Sequence, residues 1–194
     1  MSVLAMESTR AFVAIDLGWG TTGILERVIK HLKSQIPGVR WSLPEQLHLT
    51  LKFVGEVDNR ELPQLCEKVR AACAQSPPFS LQLKGIGAFP LDKPPRVLWV
   101  GVDDGTDELR ALAERLDEEL SGLGIPRETR QFKPHLTLGR IGRNADVDKL
   151  HQCIAPLADQ IAIRCEIDEV ILMASIKQRA ETIYEPIDTV ELKG

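Results

Sequence analysis

The chain repeats one tetrapeptide that places a histidine and a threonine two residues apart. His48-Leu-Thr-Leu51 recurs unchanged as His135-Leu-Thr-Leu138, with strand-like residues around both copies. Successive side chains of a strand point to opposite faces, so the histidine and threonine of each copy share one face and the leucines share the other. If the leucines pack into two similar lobes, two imidazoles and two hydroxyls face a shared cleft.

This set of groups suits in-line displacement at phosphorus. Imidazole titrates at about pH 6.5 in model peptides, so near neutrality one histidine can act as a base and the other as an acid. One takes a proton from attacking water, the other protonates the leaving oxygen, and Thr50 and Thr137 bond the non-bridging oxygens. No metal or cofactor is needed, and a strained cyclic ester suits these groups better than an unactivated diester. Basic residues near the motifs add attraction for phosphate: Lys52, Arg130, Lys133 and Arg140.

Strand and helix patterns alternate along the chain and are joined in places by short hairpin turns. The patterns predict strands over 11–17, 47–54, 79–88, 96–102, 135–141, 161–174 and 182–192. They predict helices over 21–35, after a cap at Asn59, after a cap at Asp103 or Asp104, and from a cap at Asn144 to about 159. Short hairpin links favour a largely antiparallel sheet, which places the chain in the α+β class.

Some side chains are assigned to the core or to the surface from the same patterns. Asp117-Glu-Glu119 reads as the solvated face of the third helix. Four aromatic residues are expected in the core, with one of them free to stack a nucleobase at the cleft: Phe12, Trp41, Phe53 and Trp99.

Composition excludes several classes of protein. A chain of 194 residues with 43% hydrophobic content can bury a core, and a net charge of −4 argues against a broad surface for long nucleic acids. The four cysteines form no CxxC pair and read as reduced thiols.

No apolar run reaches the length of a membrane span, so we expect a cytoplasmic monomer that makes no contact with membranes. Residues 1–5 are expected to be a flexible extension, and 6–194 one bilobal domain.

At these residues the chain resembles the two-histidine phosphoesterase superfamily, specifically its bacterial and archaeal RNA 2',3'-cyclic phosphodiesterases, historically called 2'-5' RNA ligases. The resemblance covers nearly the whole chain. Besides the two motifs it includes the stretches Arg10–Asp16, Trp41–Glu56, Gly85–Pro90, Arg96–Gly101 and Phe132–Arg140.

The resemblance implies two pseudosymmetric α+β lobes, each with a mainly antiparallel sheet and helices outside, around a central active cleft. It implies hydrolysis of 2',3'-cyclic phosphate ends to 2'-phosphates, with ATP-independent 2'-5' ligation as the reverse reaction. His48 then corresponds to the proton donor and His135 to the proton acceptor, and Arg140 to a phosphate contact. Arg140 needs a bulge near Gly139 to reach the face of His135. Ser175 and Tyr184 also fit the family pattern, with packing as the competing role.

Two other functions remain open. One is a related hydrolase of a small cyclic phosphate, such as a nucleotide derivative, which the acidic balance favours over long RNA. The other is a module that binds a nucleotide or an RNA end without catalysis. The expected partners are RNA ends with a 2',3'-cyclic phosphate, tRNA fragments among them, or small cyclic nucleotides.

Overall fold

The computed structural model describes residues 7–91, 93–178 and 181–193, so the predicted extension over 1–5 lies outside the described residues. Helices and strands alternate, and the predicted α+β class is confirmed. The helices are α1 Gly18–Lys33, α2 Leu62–Cys73, α3 Thr106–Ser121 and α4 Val147–Ile154. The strands are β1 Ser8–Asp16, β2 Val39–Trp41, β3 His48–Asp58, β4 Phe79–Phe89, β5 Val97–Val102, β6 His135–Ile141, β7 Ala162–Ile167, β8 Glu169–Gln178 and β9 Glu181–Glu191.

The strands form one sheet that divides into two antiparallel halves. Their order is β7-β4-β5-β6-β3-β1-β8-β9, and β2 pairs with β6 beside this path. Within the described ranges, β3 and β6 are joined at the centre by the single pair Leu49 and Leu136. We call β3, β1, β8 and β9 the first lobe, and β6, β5, β4, β7 and β2 the second lobe. The two predicted lobes are therefore confirmed.

The helices cover one face of this sheet and cross between the lobes. α3 follows β5 of the second lobe but packs against β3 of the first lobe, where it also contacts α2. Conversely, α1 follows β1 of the first lobe but packs against β2 and β7 of the second. Buried leucines of α3, such as Leu109 and Leu112, join Leu49 and Leu136 in the core. This exchange is typical of one folding unit, although the single domain over 6–194 stays a prediction.

Three helices begin at residues other than the predicted caps. The N-cap of α2 is Glu61, because the side-chain oxygen of Asn59 instead accepts a hydrogen bond of 2.6 Å from the hydroxyl of Thr9. The N-cap of α4 is Asp146 and not the predicted Asn144. The carboxylate of Asp146 accepts a hydrogen bond from the backbone N–H of Lys149. The N-cap of α3 is Gly105, because the carboxylates of Asp103 and Asp104 form ion pairs with other residues.

Gly105 begins α3 for a steric reason. Its φ is +83°, and a Cβ at this position would lie 2.7 Å from the backbone oxygen of Ser80. Only glycine meets both conditions without strain. The predicted caps Asp103 and Asp104 form ion pairs with Lys84 and Arg164, so neither carboxylate serves the helix.

The predicted strand over 161–174 is wrong as a single element. It divides at Asp168 into β7, which pairs with β4 at one end of the sheet, and β8, which pairs with β1 and β9 near the other end. The carbonyl of Asp168 accepts a hydrogen bond from the N–H of Leu192. The apolar pattern continues through both strands, so their assignment to different lobes is decided by tertiary pairing.

Two expectations from composition have structural counterparts. The four cysteines are free thiols, and burial raises the pKa of Cys73 to about 11. Within the described part of the chain, no helix combines the length and apolar character needed to cross a membrane.

Candidate active site

The two His-Leu-Thr-Leu motifs meet at the centre of the sheet. Leu49 of β3 pairs with Leu136 of β6, and both leucines are fully buried. Neighbouring antiparallel strands are related by a local twofold axis perpendicular to the sheet, and here the axis passes between equivalent residues of the two motifs. The axis therefore exchanges the two histidines with each other and the two threonines with each other.

The register around this pair turns four polar side chains toward one face. Continued by one residue in each direction, it sets His48 opposite Thr137 and Thr50 opposite His135. Residues opposite each other lie about 5 Å apart, and those on the diagonal about 7 to 8 Å apart. Imidazoles on the diagonal can reach one phosphorus atom from opposite sides. The structure thus brings the four motif side chains together, and their catalytic roles stay predictions.

Each imidazole is oriented by the backbone two residues before it. Nδ1 of His135 donates a hydrogen bond of 2.7 Å to the carbonyl of Lys133. The ring of His48 is hydrogen-bonded to the backbone of Gln46, and its Nε2 lies 3.1 Å from the hydroxyl of Thr50. A proton fixed on Nδ1 leaves Nε2 as the nitrogen that exchanges protons with a ligand.

Aromatic rings pack around both histidines. The Phe12 ring lies 4.9 Å from the His48 ring, measured between centroids, and the Tyr184 ring meets His48 edge-on at 5.1 Å. The Phe89 ring meets His135 edge-on at 5.5 Å. Each imidazole therefore has an apolar wall, but the wall around His48 has two rings.

Burial lowers the pKa of His48 to about 4, from 6.5 for an exposed imidazole. The hydrogen bond with the backbone of Gln46 and the charge of Asp16, which lies opposite His48 on β1, raise this pKa without offsetting burial. His48 is therefore neutral at pH 7 when no anion is bound.

A bulge follows the threonine of each motif. On β3, Thr50 pairs with Ala14 and Lys52 with Val13, which leaves Leu51 as an extra residue. On β6, Thr137 and Gly139 pair with consecutive residues of β5, which leaves Leu138 as the extra residue. A bulge reverses the faces of the residues that follow it.

The bulge on β6 returns Arg140 to the cleft face. Arg140 pairs with Val97, two residues before Trp99, which pairs with Thr137. Residues two apart on β5 share a face, so Arg140 lies on the same face as Thr137. Its side chain is exposed. The bulge that the predicted phosphate contact requires is present.

The equivalent bulge on β3 turns Lys52 away from the cleft. Lys52 is 6% exposed, forms an ion pair with Asp117 of α3 and donates a hydrogen bond of 2.6 Å to the carbonyl of Pro126. Asp117 also accepts a hydrogen bond of 2.8 Å from the N–H of Glu128. Lys52 therefore does not reach a phosphate in the cleft, which corrects the predicted contact. The solvated face assigned to Asp117 is also wrong.

Part of the aromatic surroundings was not predicted from the sequence. Phe12 is buried, as expected, but its ring packs on His48 at the cleft. Trp99 was expected in the core and lies on the cleft face, where it stacks on Phe89 at 4.8 Å between centroids. Phe53 was expected in the core and is 67% exposed. Trp41 packs against the core as predicted. Pairing with the histidine strands would have located these rings, but a single strand pattern does not reveal its partners.

Among the described residues, no group of three or more histidine, cysteine, aspartate or glutamate side chains is placed to hold a metal ion. The site's own groups are imidazoles, hydroxyls and a guanidinium. They can exchange protons and bind an anion.

Comparison with known proteins agrees with this geometry. A profile of the 2'-5' RNA ligase superfamily matches residues 24–179, and the chain belongs to this superfamily. The predicted family is therefore confirmed.

Two relatives named RNA 2',3'-cyclic phosphodiesterase match over almost their whole length. The protein from Thermotoga maritima is 38% identical over 95% of this chain and 96% of its own. The protein from Methanothermobacter thermautotrophicus is 34% identical over 94% of this chain and 98% of its own. Among solved structures, E. coli LigT complexed with 3'-AMP has 28% identity and a TM-score of 0.78, covering 97% of this chain and all of LigT.

The buried His48 predicts a loss of stability in acid. Below pH 6.5 the unfolded chain binds a proton on His48 that the folded chain does not bind, so the free energy of unfolding falls as the pH drops toward 4. We expect His48 to contribute on the order of 2 kcal/mol to this loss. Urea unfolding at pH 7.5 and pH 5 should show a smaller difference for His48→Gln than for the unchanged chain. His31→Gln, on the exposed side of α1, is the control, and equal pH dependence in all three proteins would contradict the prediction.

The ion pair of Lys52 predicts a structural phenotype for its removal. Lys52→Met leaves the Asp117 carboxylate buried without its cation, and we expect a loss of about 3 kcal/mol in the free energy of unfolding. Adding Asp117→Asn should recover about half of it, because asparagine keeps an acceptor for the N–H of Glu128 without a charge. Lys68→Met, which breaks the more exposed pair with Glu119, should cost less than about 1 kcal/mol. Denaturation at pH 7 of the unchanged chain, these three variants and Asp117→Asn alone measures the losses, and strictly additive losses of Lys52→Met and Asp117→Asn would refute the pairing.

Proposed function

We propose that this chain hydrolyses 2',3'-cyclic phosphates at RNA ends and leaves a 2'-phosphate. The observation that carries the proposal is the pairing of the two motifs at Leu49 and Leu136, which directs two imidazoles and two hydroxyls to one face of the sheet. The names of the relatives, which match over nearly the full chain, support the same substrate class.

The proposed reaction uses each of these groups, with the donor and acceptor roles that the resemblance implies. Water attacks phosphorus in line with the bond to the 3' oxygen, and Nε2 of His135 takes the proton of the water. As the P–O3' bond breaks, Nε2 of His48 donates a proton to the departing oxygen. The hydroxyls of Thr50 and Thr137 and the guanidinium of Arg140 bind the non-bridging oxygens as charge builds. Each positioned acid or base is typically worth about 10²–10⁴-fold in rate.

The donor role of His48 requires that the substrate supplies a favourable charge. With a pKa of about 4, His48 carries no proton on Nε2 in the empty site at pH 7. A phosphodiester anion within hydrogen-bonding distance favours the imidazolium and raises this pKa. Binding of the substrate therefore draws in the proton that the reaction later delivers to the 3' oxygen.

The same arrangement accounts for ligation. If the 5'-hydroxyl of a second RNA takes the place of water, the 3' oxygen leaves in the same way and the phosphate becomes a 2'-5' link. The cyclic ester supplies the energy of the new bond, so ATP is not consumed.

A hydrolase of small cyclic nucleotides is the second candidate. The net charge of −4 favours it, because a long RNA would meet little overall attraction. Comparing a mononucleoside 2',3'-cyclic phosphate with an oligonucleotide that has the same end separates the candidates. Comparable kcat/KM values would favour the small substrate, and a preference for the oligonucleotide would favour the RNA end.

Removal of either imidazole should slow turnover by orders of magnitude without unfolding the chain. We expect His48→Ala and His135→Ala to lower kcat by at least about 10²-fold. His151→Ala, on the exposed face of α4, is the matched control and should retain full activity. Chromatography of the products from a cyclic-ended oligonucleotide should show the 2'-phosphate alone. Near-normal rates in either variant, or a 3'-phosphate product, would reject the mechanism.

Proton uptake on binding tests the donor assignment separately. A deoxydinucleoside monophosphate has one phosphodiester charge, has no 2'-hydroxyl and does not titrate near neutrality. We expect its binding at pH 7 to take up a measurable fraction of a proton in the unchanged chain and less in His48→Gln. Calorimetry in buffers of different ionisation enthalpy measures this number. Binding without proton uptake in the unchanged chain would contradict the donor role of His48.

A further inference from the structure

Phe53 is a large apolar side chain that the proposed chemistry does not use. It follows the first motif on β3, and 67% of it is exposed. Full burial of a phenylalanine side chain would stabilise the fold by about 1.5–3 kcal/mol. Phe53 does not make this contribution to stability, although it lies close to the candidate site.

The bulge at Leu51 places Phe53 on the cleft face. Lys52 points to Asp117 of α3, on the helix-covered face, so its neighbour Phe53 points the other way. Phe53 also pairs with Phe12 of β1, whose ring contacts His48. Residues paired across antiparallel strands project to the same side, so the exposed ring and the imidazole share one face.

The twofold axis at the centre of the sheet relates Phe53 to Arg140. Each residue lies five positions after its motif histidine and beyond an equivalent bulge. One end of the cleft therefore presents a guanidinium and the other an aromatic ring. Phe53 lies three residues beyond Thr50, or about 7–10 Å along the strand. A nucleotide that adjoins a phosphate held by the motifs spans a comparable distance.

Basic residues lie in the segment that leads to His135, which is opposite Thr50 at this end of the cleft. The carbonyl of Lys133 holds His135, and the segment 126–133 is tied to β3 by the hydrogen bond from Lys52 to Pro126. Exposed Arg130 and Lys133 belong to this segment. A ring with nearby cations is the combination that holds single-stranded nucleic acid, because bases stack on the ring and phosphates attract the cations.

We propose that Phe53 stacks on the base of the nucleotide that precedes the cyclic phosphate end, so that the chain recognises the ends of oligonucleotides. This inference rests on the proposed function for the position of the phosphate. It predicts that the contribution of Phe53 depends on the length of the RNA. A mononucleoside 2',3'-cyclic phosphate has no preceding nucleotide and does not reach the ring.

The test compares three replacements of Phe53 on two substrates. Phe53→Ala and Phe53→Leu remove the aromatic face, whereas Phe53→Trp retains it. For a short cyclic-ended oligonucleotide, we expect the first two to lower kcat/KM by about 5- to 100-fold through KM, as loss of one stacked base predicts, and Phe53→Trp to stay near the original value. For the mononucleoside substrate, all three should stay within about twofold.

A binding measurement separates this proposal from the proposed function. Fluorescence anisotropy with a labelled oligonucleotide that ends in a 2'-phosphate requires no turnover. Phe53→Ala should weaken its binding by a similar factor and leave competition by a nucleoside 2'-phosphate unchanged. Equal effects on both ligands, or no effect on either, would overturn the stacking role. If the unchanged chain cleaves neither substrate, the proposed function fails, while the anisotropy result still decides the role of Phe53.

Discussion

The pairing of Leu49 with Leu136 is the contact on which the candidate site depends. It joins two half-sheets whose other strands run outward in opposite directions, and it places the local twofold axis between two copies of the same motif. Both leucines are buried beneath helices that cross from one lobe to the other. A shift of one residue in this register would turn one histidine into the core, since the faces of a strand alternate. Core packing of the leucines therefore fixes the positions of the imidazoles.

The two bulges are related by the twofold axis, but they place different residues on the two sides of the cleft. Both motifs end at a bulged leucine, but the residues that follow differ between the copies. On β3 the bulge buries Lys52 against Asp117, so that this lysine anchors the segment leading to His135. On β6 the equivalent residue is Gly139, where a Cβ would lie within 3.0 Å of atoms of β2. The first strand thus supports the loop of the second, while Arg140 is left for the cleft.

The surroundings of the histidines show how one residue type can take two roles. Phe12 and Tyr184 enclose His48, and burial lowers its pKa to about 4. Burial disfavours the protonated form of an imidazole, so His48 stays neutral in the empty site. A bound anion provides the opposite charge that stabilises the protonated form. Protonation of the proposed donor is thereby linked to occupancy of the site. In that scheme the chemistry is ready only when a phosphate is present.

The sequence by itself determined the repeated motif, the faces of its side chains, the α+β class, the two lobes and the family. The motif, its faces and the α+β class follow from local rules, because the alternation of a strand and the apolar stripe of a helix depend on neighbouring residues. The two lobes and the family follow from the resemblance of the residues around both motifs to a known superfamily. The need for a bulge before Arg140 was deduced from its spacing from His135 together with the phosphate contact that the resemblance implies. Tertiary structure decided which strands pair, and so placed Phe89 beside His135, divided β7 from β8, turned Lys52 inward and left Phe53 exposed. A bulge reverses the faces that a regular pattern predicts, and its position depends on the partner strand, which no local pattern contains.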